Sequence, residues 1–126
     1  MTVDFELVSK IAAPPERCFD LSLDIDLHVD SMTNSDERAV EGVTSGRIGL
    51  GQTVTWHAKH FGISWAMTSR ITALDRPSRF VDEQVKGPLT RFRHEHIFES
   101  TSSGTRMVDR ISFDAPAGTI DRKSVV

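Results

Sequence analysis

Apolar and polar side chains alternate along most of the chain, and this pattern predicts more strand than helix. In the run Thr53–His60, for example, Val54, Trp56 and Ala58 share one face, as expected for a half-buried strand. Similar runs predict strands over Val3–Ile11, Arg38–Gly42, Thr53–His60, Ile63–Leu74, Phe80–Lys86, Thr90–Ser100 and Thr105–Asp114. Because short turns containing glycine or proline join the later runs, they predict an antiparallel meander.

Two short helices are predicted between the first strand and the second. The first spans residues 15–23 and begins at Pro15, where the missing N–H of proline has no helical partner to lose. The second spans Ile25–Met32. Helices this short are not stable alone, so we expect them to pack against the sheet. The predicted fold class is α+β, a curved antiparallel sheet of six or seven strands with two short N-terminal helices.

The alternation also predicts which polar side chains face inward. His94 and His96 share a strand face with Phe92 and Phe98, whereas the charged residues Arg91, Arg93 and Glu95 share the other face. Applied to the neighbouring strands, the same reasoning places five polar residues on the predicted inner face: Asp82, Gln84, His94, His96 and Asp109. An unpaired buried polar group costs about 1 to 3 kcal/mol, so we expect these groups to have partners.

Three interpretations of the inner Asp and His residues remain open. They form a hydrogen-bonded ladder between strands, they are polar anchors in a ligand cavity, or they bind a metal. The metal interpretation has the least support, because the His-x-His spacing is a weak signal and no thiolate or third obvious histidine lies beside it. We therefore predict no metal and no cofactor. An Asp–His pair can also act as a general base, which makes His94, His96, Asp82 and Asp109 the candidate catalytic residues and leaves enzymatic activity uncertain.

Composition excludes several classes of protein. The length of 126 residues is that of one small domain, and 15 Lys and Arg against 18 Asp and Glu give a net charge of -3. Without a basic excess we expect no nucleic-acid partner. No apolar run is long enough to span a bilayer and the N-terminus does not read as a signal peptide, so we expect a cytoplasmic protein without membrane insertion. The single cysteine, Cys18, excludes an internal disulfide.

Three segments carry a family resemblance. They are APPERCFD at 13–20, GLGQTVTWHAKHFG at 49–62 and RFVDEQ at 79–84, the last followed by Gly87-Pro88. With this order of elements the chain resembles the SRPBCC (START-like, helix-grip) superfamily, in particular its bacterial polyketide cyclase/dehydrase-like ligand-binding branch.

The resemblance implies a cavity between the sheet and the helices. Its implied lining includes Trp56, Trp65, Met67, Phe80, Gln84 and Phe92 besides the inner Asp and His residues. Strand alternation adds His60, and the position of His28 on the second helix places it at the cavity mouth. The predicted function is binding of a hydrophobic, lipid-like or polyketide-like aromatic small molecule. The alternative is a cyclase or dehydrase in which an inner Asp–His pair transfers a proton.

The C-terminal segment departs from the family pattern. The family continues into a long helix, whereas here only Thr119–Val126 follow Gly118. Eight helical residues would span about 12 Å, against about 30 Å for a helix of about 20 residues. We therefore predict a single START-like domain over residues 1–126 whose C-terminal helix is largely missing after about residue 118. We also expect a homo-oligomer, a dimer, that covers the exposed cavity face.

Overall fold

The computed structural model of the chain describes residues 1–31, 36–60 and 62–115. Along the chain its elements are β1 Thr2–Ile11, α1 Pro15–Ser22, α2 Ile25–Ser31, β2 Arg38–Gly42, β3 Thr53–His60, β4 Ile63–Asp75, β5 Arg79–Lys86, β6 Arg91–Thr101 and β7 Gly104–Asp114. The predicted α+β fold class is confirmed, and the predicted strand boundaries differ by no more than one residue at either end. Met32, the predicted end of the second helix, lies outside the described residues.

The seven strands form one antiparallel sheet in the order β1-β7-β6-β5-β4-β3-β2. Strands β2 to β7 follow one another as a meander, and β1 pairs with β7 from Thr2 opposite Asp114 to Ile11 opposite Thr105. The register shifts between β2 and β3 and between β4 and β5. Such irregularities bend strands and increase their twist, which favours a curved sheet.

The two helices pack on the concave face of the sheet and form the core with it. Phe19 of α1 is 1% exposed, and its ring meets Phe80 and Phe98 edge to face at centroid distances of 5.6 and 5.4 Å. The buried cluster comprises Cys18, Phe19, Leu23, Ile25, Ile48, Val54, Ile71, Phe80 and Phe98. The helices are therefore stabilised by burial against the strands and not by their length.

Polar contacts fix the helices over the sheet. Both carboxylate oxygens of Asp20 in α1 accept hydrogen bonds from Arg76, in the turn between β4 and β5, at 2.9 Å. The hydrogen bond from Arg76 lowers the pKa of Asp20. The carboxylate of Asp26, in the first turn of α2, accepts a hydrogen bond from the backbone N–H of Gly46 at 2.9 Å. The loop between β2 and β3 is thereby held against the helices, with Ile48 buried beneath them.

Part of the concave face has no cover among the described residues. On β1, Phe5 and Leu7 point to the same side as the inner residues of β7 but remain 44% and 54% exposed. The shortened C-terminal helix predicted after about residue 118 lies outside the described residues. Within the described ranges, no helix has the length and apolar character needed to cross a membrane.

Candidate ligand-binding site

A cavity of about 810 Å³ lies between the two helices and the concave face. This volume is in the range of small-molecule sites, which are mostly apolar with a few polar groups. Its apolar walls come from α1, α2, the end of β1, strands β3 to β7 and the loop between β2 and β3. Residues lining these walls include Leu23, Ile25, Ile48, Val54, Trp56, Trp65, Met67, Ile71, Phe80, Phe92 and Met107.

Most of the residues predicted from the sequence line this cavity. The structure brings together Trp56, Trp65, Met67, Phe80 and Phe92 with the polar residues His28, Asp82, His94 and His96. The alternation of side chains along β3 to β6 is the reason, since within each of these strands the predicted residues that line the cavity occupy every second position.

Four of the polar residues form two hydrogen-bonded pairs joined by a longer contact, here called the Asp–His ladder: Asp82 with His96, and Asp109 with His94. Nε2 of His96 lies 2.7 Å from Oδ2 of Asp82, and Nε2 of His94 lies 2.9 Å from Oδ1 of Asp109. Nδ1 of His96 lies 3.4 Å from the same Asp109 oxygen. Both ring nitrogens of His96 therefore face carboxylates, and Asp109 faces both imidazoles.

The strand register explains the order of the ladder. Asp82 on β5 is directly opposite His94 on β6, and Asp109 on β7 is directly opposite His96. The hydrogen bonds therefore run diagonally, because each imidazole bonds to the carboxylate that lies opposite the other imidazole. The two imidazoles stack with centroids 3.7 Å apart, and Phe80 stacks on His96 at 4.0 Å. Each ring is thus fixed by a hydrogen bond and by a stacked neighbour.

Asp109 is the electrostatic centre of the ladder. The hydrogen bond from His94 lowers the pKa of Asp109, and the charges of His96 and His94 act in the same direction against the opposing effect of burial. The Asp109 side chain is 19% exposed, so its carboxylate is partly shielded from water. An ionised Asp109 holds the imidazole of His94 in a fixed orientation, as a carboxylate does for a general base.

Three residues of the ladder also form a donor set of the kind that binds divalent metals. The donor atoms of Asp82, His94 and His96 lie within 4.8 Å of one another. In the observed arrangement both Nε2 atoms are hydrogen-bonded to carboxylates, so a metal bound through them would have to break both hydrogen bonds. The absence of a metal stays a prediction.

Three predicted site residues are not placed among the cavity walls. The Gln84 amide instead holds the turn between β5 and β6, donating to the Leu89 carbonyl at 2.7 Å and accepting from the Leu89 N–H at 3.3 Å. Asp109 supports His94 and His96 but does not line the cavity. The side chain of His60 lies outside the described residues.

The cavity holds a second polar group, of which the sequence predicted His28 but not its partner Glu37. Nε2 of His28 lies 2.8 Å from Oε1 of Glu37, and the His28 ring packs on Trp56 with centroids 4.3 Å apart. Glu37 precedes β2 outside any periodic run, so no sequence signal pointed to it. Ser69 on β4 is also buried in the wall, and extending the alternation between Met67 and Ile71 would have found it.

Comparisons with known proteins agree with this fold. The model of a family described as "Polyketide cyclase / dehydrase and lipid transport" matches residues 2–125. No curated protein matches the chain.

Solved structures with the same fold are distant in sequence. Ara h 8.0201 is 19% identical, with a TM-score of 0.69 over 99% of this chain and 88% of its own. Protein CV1439 from Chromobacterium violaceum is 16% identical, with a TM-score of 0.71 over 90% of this chain and 81% of its own. The major latex-like protein 151 from Panax ginseng is 14% identical, with a TM-score of 0.68 over 94% and 83%.

At these identities the solved structures establish the fold, and the family model establishes the family. The curved seven-stranded sheet with its two helices is the helix-grip architecture that the resemblance implied. The chain belongs to the polyketide cyclase/dehydrase and lipid transport family of the SRPBCC superfamily.

Proposed function

We propose that this protein binds a hydrophobic small molecule, lipid-like or polyketide-like and aromatic, in the cavity between the helices and the sheet. The observation that carries the proposal is the cavity of about 810 Å³, whose apolar walls hold two compact polar groups, the Asp–His ladder and the pair His28–Glu37. An apolar wall gives affinity by removing ligand surface from water, and a few fixed polar groups orient the ligand.

His94 is the side chain best suited to orient a bound molecule. Its Nε2 is held by Asp109, and among the described residues its Nδ1 has no hydrogen-bond partner although the residue lines the cavity. A ligand with a polar atom near Nδ1 would form a hydrogen bond without breaking one in the protein. Such a site loses little free energy to reorganisation on binding.

Titration with a neutral apolar fluorophore tests the proposal. N-phenyl-1-naphthylamine should bind saturably, with one molecule per chain, and should accept energy from Trp56 and Trp65 in the cavity wall. Native mass spectrometry of freshly purified protein would report any molecule that co-purifies. A titration without saturation or energy transfer would contradict the proposal.

A second candidate function is favoured by one observation, the orientation of His94 by Asp109. In a cyclase, Nδ1 of His94 would take a proton from a carbon between two carbonyl groups. The resulting enolate carbon would form a bond to a second carbonyl carbon, and His94 would return the proton to the new alkoxide. Loss of water from this aldol product would complete a dehydration.

The neighbouring residues His94 and Arg93 provide the test, since they lie on opposite faces of β6. Cyclisation of a synthetic poly-β-keto thioester, followed by chromatography, should fall by about 100-fold or more in His94→Gln. Arg93→Gln should retain the wild-type rate. Equal rates in wild type and His94→Gln, or no turnover above the uncatalysed rate, would leave binding as the function.

The remaining sequence-based expectations stay predictions. We propose that a second copy covers the apolar side chains exposed on β1, among them Phe5, Leu7 and Ile11, which are 41% to 54% exposed. Light scattering should then give the mass of a dimer, and a monomer would contradict this. The single-domain organisation over residues 1–126 and the cytoplasmic location are likewise unchanged predictions, the latter testable by cell fractionation.

A further inference from the structure

In the part of the chain that the structure describes, the ionisable side chains of the cavity wall include no permanently charged cation. Among the described residues, the lining contains three carboxylates and three imidazoles but no lysine or arginine: Asp24, Glu37, Asp82, His28, His94 and His96. Arginines on the lining strands lie on the opposite face, where Arg79 pairs with Glu95 and Arg91 with Asp114. The charges that would attract an anionic ligand are therefore turned away from the cavity.

The imidazoles do not supply a free positive charge either. His96 faces both Asp82 and Asp109, His94 is bonded to Asp109, and the His28 ring is bonded to Glu37. With Asp109 behind the wall, the site holds four carboxylates and three imidazoles, and the fourth carboxylate, that of Asp24, accepts a hydrogen bond from the Leu27 backbone N–H. The group therefore carries net negative charge even when every imidazole is protonated.

From this balance we infer the chemical class of the ligand: a hydrophobic molecule whose polar end donates hydrogen bonds, a hydroxyl or an ammonium group, and not one that ends in a carboxylate or phosphate. A carboxylate entering the cavity meets carboxylates without a cation to neutralise it, and like charges brought together oppose binding. A hydroxyl or ammonium group finds acceptors already in place. This inference rests on the proposed binding function and gives that function a selectivity.

Three competitors with the same alkyl chain test the inference at neutral pH: decanol, decylammonium and decanoate. Each is titrated against the protein loaded with N-phenyl-1-naphthylamine. Decylammonium and decanoate both carry one charge, so the ratio of their displacement constants reports the sign of the electrostatic field in the cavity. We expect decylammonium and decanol to displace the fluorophore at concentrations about tenfold lower than decanoate, or lower still.

Two adjacent residues on β5 provide the matched variants, since Asp82 lines the cavity and Glu83 lies on the other face. Asp82→Asn should bring the ratio of decylammonium to decanoate affinity closer to one, whereas Glu83→Gln should leave it at the wild-type value. Glu37→Gln, which removes a lining carboxylate outside the ladder, is the second variant if Asp82→Asn does not fold.

The outcomes separate the inference from the function on which it rests. Displacement by decanoate as effective as by decylammonium would overturn the inferred ligand class while leaving the binding function intact. If the ratio of decylammonium to decanoate affinity changes equally in Asp82→Asn and Glu83→Gln, the carboxylates of the cavity wall are not the source of the selectivity. If neither the fluorophore nor any of the three competitors binds, the binding function itself fails.

Discussion

The concave face of the sheet has a covered part and an open part, and the two differ although their strands follow the same alternation. Where α1 packs on the sheet, Phe80 of β5 is 2% exposed and the facing Phe19 of α1 is 1% exposed. On β1, Phe5 and Leu7 are 44% and 54% exposed on the same side of the sheet. An apolar side chain on the inner face is therefore buried only where another element packs over it.

The Asp–His ladder lies where these two parts meet. Asp82 is on β5, both histidines are on β6 and Asp109 is on β7, which pairs with the open strand β1. Its members are partly shielded, with side chains 15% to 21% exposed. This position lets the ladder hold fixed hydrogen bonds and still present Asp82, His94 and His96 to the cavity.

The largest expected effect on stability comes from removing the ring of Phe19, which fills the covered part. Phe19→Ala removes both edge-to-face contacts and leaves a void, and should lower the free energy of unfolding by about 3 to 5 kcal/mol. Leu7→Ala in the open part should cost the monomer less than about 1 kcal/mol. Chemical denaturation measures both. Equal losses would mean that the open part is covered in solution.

A smaller effect is expected at the boundary between the two parts. Asp109→Asn removes the carboxylate that faces both imidazoles and should lower the free energy of unfolding by about 1 to 3 kcal/mol at neutral pH. The exposed Asp4→Asn on β1 is the control and should change it by less than about 0.5 kcal/mol.

The loss in Asp109→Asn should depend on pH. Because the pKa of Asp109 is lowered in the folded protein, its stabilisation is present above the ordinary carboxyl value of 3.8 and disappears as the pH falls through the folded value. The difference between wild type and Asp109→Asn should therefore be full at neutral pH and shrink in acid. A difference that stayed constant or grew as the pH fell below the ordinary carboxyl value of 3.8 would contradict the assigned role of Asp109.

Strand alternation predicted most of the site, because both the sheet face and the cavity wall repeat every two residues. It failed where a contact depends on the end of a strand or on a loop. Gln84 shares the predicted face, but near the end of β5 its amide forms hydrogen bonds with the Leu89 backbone. Glu37 and Ile48 belong to loops without periodicity, and only the packing of the helices brings them to the cavity.

Removal of the Gln84 amide, which holds the turn between β5 and β6, should have a modest effect on stability. Gln84→Ala removes two hydrogen bonds to Leu89 and should lower the free energy of unfolding by about 1 kcal/mol. Affinity for the fluorophore should remain unchanged, because the amide does not line the cavity. A loss of affinity without a loss of stability would show that Gln84 takes part in binding, as the sequence predicted.

The smallest effect on stability is expected in the open part. Phe5→Ser should change the free energy of unfolding of the monomer by less than about 1 kcal/mol, because the ring is half exposed in a single chain. If a second copy covers β1, the same variant should shift the mass measured by light scattering toward the monomer. An unchanged dimer in Phe5→Ser would place the interface elsewhere.

The central claim, that the covered part encloses the binding cavity, is tested most directly by adjacent substitutions on β4. Met67 lines the cavity and Ala66 lies on the other face. Titration with N-phenyl-1-naphthylamine should show affinity weakened about tenfold or more in Met67→Lys, because the lysine brings a charge to the apolar wall. Affinity in Ala66→Lys should equal that of wild type. Equal affinity in both variants, or equal weakening, would contradict the account.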